Sequence, residues 1–176
     1  MNRGWIGGSV CLLLALLSLE SRAAKHLDVT FKGVLIMESC KLEHEGSIQE
    51  VPLPNSRLHF FENNKRTEST HFYFGVKGCT PTMIGKMVKL TFTSTKTKLV
   101  DGVRMLATSG KTGLVMGLED RFDQAITLGQ AVRAGTISQV GPTGLNRYRF
   151  GVYALAPGAV KAGSYSATVT VEMDYQ

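Results

Sequence analysis

The stretch Gly163-Ser-Tyr-Ser-Ala-Thr-Val-Thr-Val-Glu-Met-Asp-Tyr-Gln176 decides the fold of this chain. Every odd position from Tyr165 to Tyr175 is apolar, and every even position from Ser164 to Asp174 is polar. A two-residue period places the apolar side chains on one face of a strand, whereas a helix would scatter them around its axis. At about 3.3 Å per residue, the alternation predicts a strand of roughly 40 Å, which must pair with another strand along its length.

The bulk composition is that of an ordinary globular protein. The chain has 176 residues, of which 43% are hydrophobic and 19% are charged, and this length fits one domain. The formal net charge of +6 is spread along the sequence without a block of Lys or Arg residues. This distribution speaks against a nucleic-acid partner, and we expect no small-molecule substrate.

The first 23 residues have the pattern of a secretory signal peptide. A basic start at residues 1–3 precedes an apolar run over residues 5–19, and Ser21 and Ala23 supply the small residues of a cleavage site. Cleavage is expected between Ala23 and Ala24. A membrane anchor is the alternative, but the apolar run is short for a membrane span.

The cysteines predict one disulfide. Cleavage of the signal peptide would remove Cys11 and leave Cys40 and Cys79. Two cysteines in an exported chain most simply form one disulfide, which is worth on the order of 4 kcal/mol in the chain-entropy model. Two free thiols are the alternative. The sequence contains no Cys-x-x-Cys motif, which excludes a redox site of that type.

Alternating apolar positions predict further strands along the chain. The segment from His26 to Met37 alternates first and then becomes apolar on both faces, as expected for a strand that enters a two-layer core. The other predicted strands cover residues 47–53, 71–79, 86–95, 102–107, 113–118, 125–128 and 146–155. No long stretch shows a helical repeat, so the expected fold class is all-β, a sandwich of strands joined by turns.

Motifs for catalysis or for metal binding are not found in the sequence. Ser109-Gly-Lys-Thr112 resembles the end of a phosphate-binding loop, but Met105 stands where that motif needs a glycine. A Gly-x-Ser-x-Gly motif is absent. His44, between Glu43 and Glu45, is interpreted as part of a solvated turn and not as a metal ligand. We therefore expect neither an enzyme nor a cofactor nor a metal.

Five segments together resemble a pilin subunit of the chaperone–usher type, as in type 1 and P pili. Each segment alone would be weak evidence, but all five occur in order in an exported chain of this length. The resemblance covers the whole exported chain. The segments are residues 27–36 before Cys40, residues 72–79, residues 112–120 together with 126–129, residues 149–153 and the stretch 163–176.

This resemblance implies an incomplete immunoglobulin-like β-sandwich that lacks its last strand and carries an N-terminal donor-strand extension. In such pilins a periplasmic chaperone lends a strand to the domain. At the outer-membrane usher, the extension of a neighbouring pilin subunit replaces that strand. The expected organisation is a signal peptide over residues 1–23, the extension over residues 24–38 and the pilin domain over residues 39–176. The subunit would travel through the periplasm to the fimbrium on the cell surface.

The resemblance also assigns roles to individual residues. The donor strand would present Leu27, Val29, Phe31, Gly33 and Leu35. The terminal strand, which binds the chaperone or a neighbouring subunit, would present Gly163, Tyr165, Ala167, Val169, Val171, Met173 and Tyr175.

The short extension favours a minor or adaptor subunit. Only residues 24–32 precede Gly33, which resembles the minor, tip-proximal subunits of P pili more than a rod subunit. A chain-terminating pilin is one alternative, because that role depends on groove geometry. A self-contained exported carbohydrate-binding β-sandwich is another, although the single Trp of the chain lies in the signal peptide.

Overall fold

The computed structural model describes residues 39–44, 46 and 48–176, and this part of the chain is almost entirely β-structure. A short α-helix, α1 (Phe60–Asn63), precedes β2, and a 3-10 turn covers Pro81–Met83. The described strands are β1 (Lys41–Leu42), β2 (Thr70–Lys77), β3 (Met87–Thr93), β4 (Thr97–Val100), β5 (Val103–Ala107), β6 (Val115–Glu119), β7 (Ala131–Thr136), β8 (Leu145–Leu155) and β9 (Thr170–Tyr175). The helices within these residues lack the length and apolarity that a membrane crossing requires.

The described strands form two antiparallel sheets. The larger sheet has the order β1-β2-β8-β6-β5-β4, and the smaller sheet has the order β7-β3-β9. With 11 residues, β8 is the longest of these strands. It pairs with β2 on one side and with β6 on the other, so it holds the larger sheet together.

The main core lies between the two sheets. Val88, Leu90 and Phe92 of β3 are fully buried and share one apolar cluster with Phe150 of the larger sheet. The ring centroids of Phe92 and Phe150 are 5.2 Å apart. Residues of β3 alternate strictly between half-buried and buried, as the two-residue period predicts. The expected all-β sandwich is therefore confirmed.

The strand predicted over residues 47–53 is wrong. The described part of this segment is irregular, because Pro52 and Pro54 have no N–H group to donate to a ladder. The apolar alternation still has a structural use, since Val51 and Leu53 pack against the core.

The strand predicted over residues 125–128 is also wrong, since this segment contributes only an isolated bridge to β6. The alternation does not predict β4 or β7, which are short and mix polar with apolar residues. Asp101 and Gly102 have φ angles of 50° and 80°, which suit the turn of a two-residue hairpin. This turn places β4 beside β5, with which it pairs.

Asn146 is a buried polar residue at the start of β8 that joins three parts of the fold. Its Oδ1 accepts hydrogen bonds from the backbone N–H groups of Ser138 and Gln139, both at 2.9 Å. Its Nδ2 donates to the carbonyl groups of Gln139 at 2.8 Å and of Val76 at 3.4 Å. The side chain thus fastens the loop before β8 to the end of β2, close to Cys79.

An ion pair between an exposed arginine and a buried glutamate lies outside the main core. The carboxylate of Glu119, 5% exposed, accepts hydrogen bonds from Arg66, at 2.9 Å, and from the hydroxyl group of Ser69. The Arg66 guanidinium also lies 3.7 Å from the centroid of the Tyr153 ring. These contacts hold the segment before β2 against β6 and β8.

Replacing Asn146 should destabilise the fold strongly. Asn146→Ala leaves the N–H groups of Ser138 and Gln139 without their acceptor, and each buried group left unpaired costs about 1–3 kcal/mol. We expect a loss of at least about 2 kcal/mol in the free energy of unfolding, measured by urea titration followed by circular dichroism. The control is Asn55→Ala, at an exposed position, which should stay within about 0.5 kcal/mol of wild type. Equal urea midpoints for the two variants would contradict the role of Asn146.

Candidate functional site

A row of half-buried apolar side chains runs along the stretch that contains β9. From position 164 to position 176 every even residue is exposed, and every odd residue from Tyr165 to Tyr175 is half-buried. All six odd residues pack against the main core: Tyr165, Ala167, Val169, Val171, Met173 and Tyr175. The predicted alternation is thus present in the structure over the whole stretch, including the part outside regular β-structure.

The regular strand is shorter than the sequence predicts. Only Thr170–Tyr175 forms a ladder with β3, in which Val171 lies opposite Phe92 and Met173 opposite Leu90. The preceding residues have no such partner, because β3 ends at Thr93. Two serine residues hold them instead. The N–H of Ser109 donates to the carbonyl of Ser166 at 2.8 Å, and the hydroxyl of Ser94 donates to the carbonyl of Thr168 at 2.9 Å.

Gly163 lies immediately before this row, and its φ angle is 156°. Residues that carry a side chain rarely adopt this backbone conformation. A Cβ atom at this position would contact the Thr112 side chain at 3.5 Å. A glycine here therefore lets the chain enter the extended stretch without strain.

A second half-buried row comes from β2. Phe72 and Phe74 pack against the same core as the row of β9. The ring of Phe74 is 5.8 Å from the ring of Phe92, and the ring of Phe72 is 6.2 Å from the ring of Phe150. Since Phe92 is the ladder neighbour of Val171, the two rows flank the same buried rings. We call the two rows together the apolar strip.

The part of the apolar strip on β9 belongs to a strand with one described ladder. Within residues 39–44, 46 and 48–176, β3 is the one strand that pairs with β9. A half-buried apolar row on a strand at the edge of its sheet is the kind of surface on which a further strand can pair and bury side chains.

One end of the apolar strip is tied to the disulfide. Cys40 and Cys79 form the expected disulfide, with their Cα atoms 4.2 Å apart. The N–H of Cys40 donates to the hydroxyl oxygen of Tyr175 at 3.2 Å, and this hydroxyl faces the carbonyl of Cys40 at 3.3 Å. The same hydroxyl lies 3.5 Å from Sδ of Met173. The C-terminal end of the row on β9 is therefore fixed to Cys40, the residue that precedes β1.

The other end of the strip meets a second cluster. Tyr165 packs with Phe61 and Val160 against the buried side chains of Leu114 and Ala154. Burial raises the pKa of Tyr165 above its ordinary value. Phe61 belongs to α1, a helix of four residues that is too short to show a helical period in the sequence.

The structure brings together the terminal-strand residues and the disulfide. Leu27, Val29, Phe31, Gly33 and Leu35, like the predicted segments 1–23 and 24–38, lie outside the described residues. The sequence analysis missed the role of Phe72 and Phe74. Their alternation with Tyr73 is visible in the sequence, but their place beside β9 depends on the order of the strands.

Two further features of the described structure bear on ligand binding. No three His, Cys, Asp or Glu side chains among the described residues lie close enough to hold a metal ion. An open cavity of about 350 Å³ has described lining residues without an aromatic side chain: Lys98, Leu99, Val100, Asp101, Gly113, Pro157, Gly158 and Ala159.

Comparison with known proteins gives consistent matches over most of the chain. The model of the fimbrial protein family matches residues 29–176. Protein PrsK of Escherichia coli is 26% identical over 172 residues, which cover 93% of this chain and 96% of PrsK. The fimbrial adapter PapK of Escherichia coli is 25% identical over 173 residues, again covering 93% of this chain and 96% of PapK.

Solved structures with a similar fold agree with these sequence matches. A chain in the structure of a chaperone–usher pilus has a TM-score of 0.63 and 20% identity, covering 87% of this chain and 97% of that chain. The P pilus rod subunit PapA has a TM-score of 0.61 and 20% identity, covering 78% and 99%. At this identity the likeness concerns the fold, and it agrees with the expected immunoglobulin-like sandwich.

The buried Tyr148, on β8, predicts a loss of stability in alkali. Burial raises its pKa to about 12, and the nearby Tyr175 contributes to this shift, whereas an ordinary tyrosine titrates near pH 10. The folded state favours the neutral form of the Tyr148 phenol. The contribution of this preference to the free energy of unfolding is complete below about pH 10 and is lost as the pH rises through about 12.

Tyr148→Phe should therefore lose less unfolding free energy than wild type when the pH rises from about 9 to about 12. Urea titrations at several pH values measure this difference. Tyr73→Phe, at an exposed tyrosine on β2, is the control and should follow wild type. Identical pH profiles for wild type and Tyr148→Phe would refute the prediction.

Proposed function

The chain belongs to the fimbrial protein family, and we propose that it is a structural pilus subunit assembled by exchange of strands between subunits. The observation that supports this proposal most directly is the apolar strip. It combines a half-buried apolar row on β9 with one described ladder partner for that strand. An extended segment paired along β9 would cover this row and supply main-chain hydrogen bonds at the same time.

The proposed partner segment is the extension of a neighbouring subunit. In this chain the corresponding segment is residues 24–38, with Leu27, Val29, Phe31, Gly33 and Leu35 on its apolar face. Burying the four large side chains of such a segment is worth roughly 1.5–3 kcal/mol each, or about 6–12 kcal/mol before ordering costs. A joint of that strength would open very slowly, as a pilus requires.

The unassembled subunit needs a temporary partner. A half-buried apolar row at a strand edge promotes aggregation, so a periplasmic chaperone would lend a strand to β9 until an outer-membrane usher brings in the next subunit. Residues 1–23 would direct export to the periplasm, and residues 39–176 would form the pilin domain. The assembled subunit would lie on the cell surface, in contact with neighbouring pilins.

Within the pilus we place the subunit in a minor or adaptor position. Similarity to the fimbrial adapter PapK over 93% of the chain supports this assignment, as does the short stretch of residues 24–32 before Gly33. The cavity at residues 98–101 and 157–159 does not favour the carbohydrate-binding alternative, since its described lining lacks the aromatic side chains on which sugars commonly stack.

A charge on the apolar face of β9 should abolish chaperone binding. Val171→Arg places a guanidinium in the half-buried row, whereas Thr170→Arg places the same charge on the exposed face of the same strand. We expect co-purification with the cognate chaperone to fall at least about tenfold for Val171→Arg, from the cost of burying an unpaired charge. Thr170→Arg should bind like wild type. Equal binding of both variants would exclude the assigned face of β9.

A charge on the donor face should act at a different step. Phe31→Arg should keep chaperone binding but stop the subunit from being added to a growing fibre, because the charge would enter the apolar strip of its neighbour. Thr30→Arg, on the opposite side of the alternation, is the control. Incorporation is measured as the amount of subunit in sheared pili, and normal incorporation of Phe31→Arg would rule out this donor face.

A further inference from the structure

Met173 is a thioether in the middle of the surface on which the proposed assembly depends. It lies on β9 opposite the fully buried Leu90 and is itself half-buried. Met83, Met105 and Met116 are nearly inaccessible, at 2%, 6% and 4% exposure. The strip thus contains a methionine that solvent can reach.

Met87 provides an internal comparison. It is half-buried like Met173 and belongs to the same three-stranded sheet, but its neighbour Val88 faces the core. Successive residues of a strand point to opposite faces, so Met87 lies on the outer face of this sheet. The two methionines are both half-buried, and they differ in whether they lie on the face of the apolar strip.

We propose that Met173 is an oxidation site through which peroxides control whether the subunit can take up a strand. This inference rests on the proposed function of the strip. Hydrogen peroxide transfers one oxygen atom to the thioether: the O–O bond breaks, an S–O bond forms, the sulfur loses two electrons, and the second oxygen of the peroxide leaves as water. The product, methionine sulfoxide, is polar and can be reduced again by enzymes of the sulfoxide reductase class.

The surroundings of Met173 give the oxygen a local effect. The Tyr175 hydroxyl, 3.5 Å from Sδ, lies 3.3 Å from the carbonyl of Cys40. A sulfoxide oxygen is a much stronger acceptor than a thioether, so the hydroxyl would turn towards it and leave the carbonyl of Cys40. The link between β9 and the residue before β1 would weaken at the edge that an incoming strand must follow.

Strand uptake and oxidation should therefore exclude one another. A strand paired along β9 would bury the sulfoxide among apolar side chains, which is costly without a full set of partners. Conversely, a bound strand covers the sulfur and shields it from peroxide. Oxidised subunits would be kept out of the fibre, whereas assembled subunits would resist oxidation.

Oxidation interference tests this proposal on the exported chain. The urea-unfolded subunit is partly oxidised with hydrogen peroxide and then refolded with a limiting amount of its chaperone. Mass spectrometry compares the sulfoxide fraction at each methionine in the bound and unbound pools, and trypsin releases Met173 as the one methionine of residues 162–176. We expect sulfoxide at Met173 to be depleted about fivefold or more in the bound pool, and sulfoxide at Met87 to be distributed equally.

Variants separate this effect from a folding defect. Met173→Gln should mimic the sulfoxide and bind the chaperone less than wild type, and Met87→Gln should have no effect. Met173→Leu has no thioether at this position, so peroxide treatment should not lower its chaperone binding, whereas the same treatment should lower the binding of wild type. In the intact chaperone complex, Met173 should oxidise several-fold more slowly than Met87, because a bound strand covers it.

Equal sulfoxide fractions at Met173 in both pools, from a wild-type subunit that still forms the chaperone complex, would overturn the oxidation site and leave the proposed function intact. A wild-type subunit that forms no chaperone complex would instead refute the proposed function.

Discussion

The one-sided pairing of β9 is the constraint on which the rest of the structure depends. Within the described residues β9 pairs with β3 alone, although its apolar row packs against the core. An edge strand directs half of its N–H and C=O groups away from its ladder partner, and these groups need hydrogen bonds as well. An extended segment with the same two-residue period satisfies both needs together, which a helix or a loop cannot do.

The remainder of the sandwich holds this strand in place. The larger sheet supplies Phe72 and Phe74 on the far side of the buried rings. The disulfide and the Tyr175 hydroxyl fix one end of the row to Cys40. Asn146 secures the loop beside Cys79. A partner segment would thus meet a surface whose shape is already set, which lowers the ordering cost of binding.

Sequence periodicity predicts the long alternating strands well and the short irregular ones poorly. It locates β2, β3, β8 and the row of β9, because each has a sustained apolar face that the core fixes. It fails for β4 and β7, where a turn and a neighbouring strand impose the extended conformation, and for residues 48–53, where prolines break the ladder. The half-buried state of Phe72 and Phe74 depends on which strands are neighbours across the core. The order of the strands decides this, and it cannot be predicted from the alternation of residues within one segment.

In a fibre assembled by the proposed exchange of strands, the joint between two subunits would be stabilised by folding free energy that the free subunit does not gain on its own. A strand that completed the sandwich from within the same chain would bury the apolar strip once, and the domain would be a stable monomer without a reason to associate. Supplied by a neighbour, the same burial holds two subunits together, at the cost of a less stable free subunit. Any change to the strip, such as an oxygen atom on Met173, therefore acts on folding and on assembly through the same contacts.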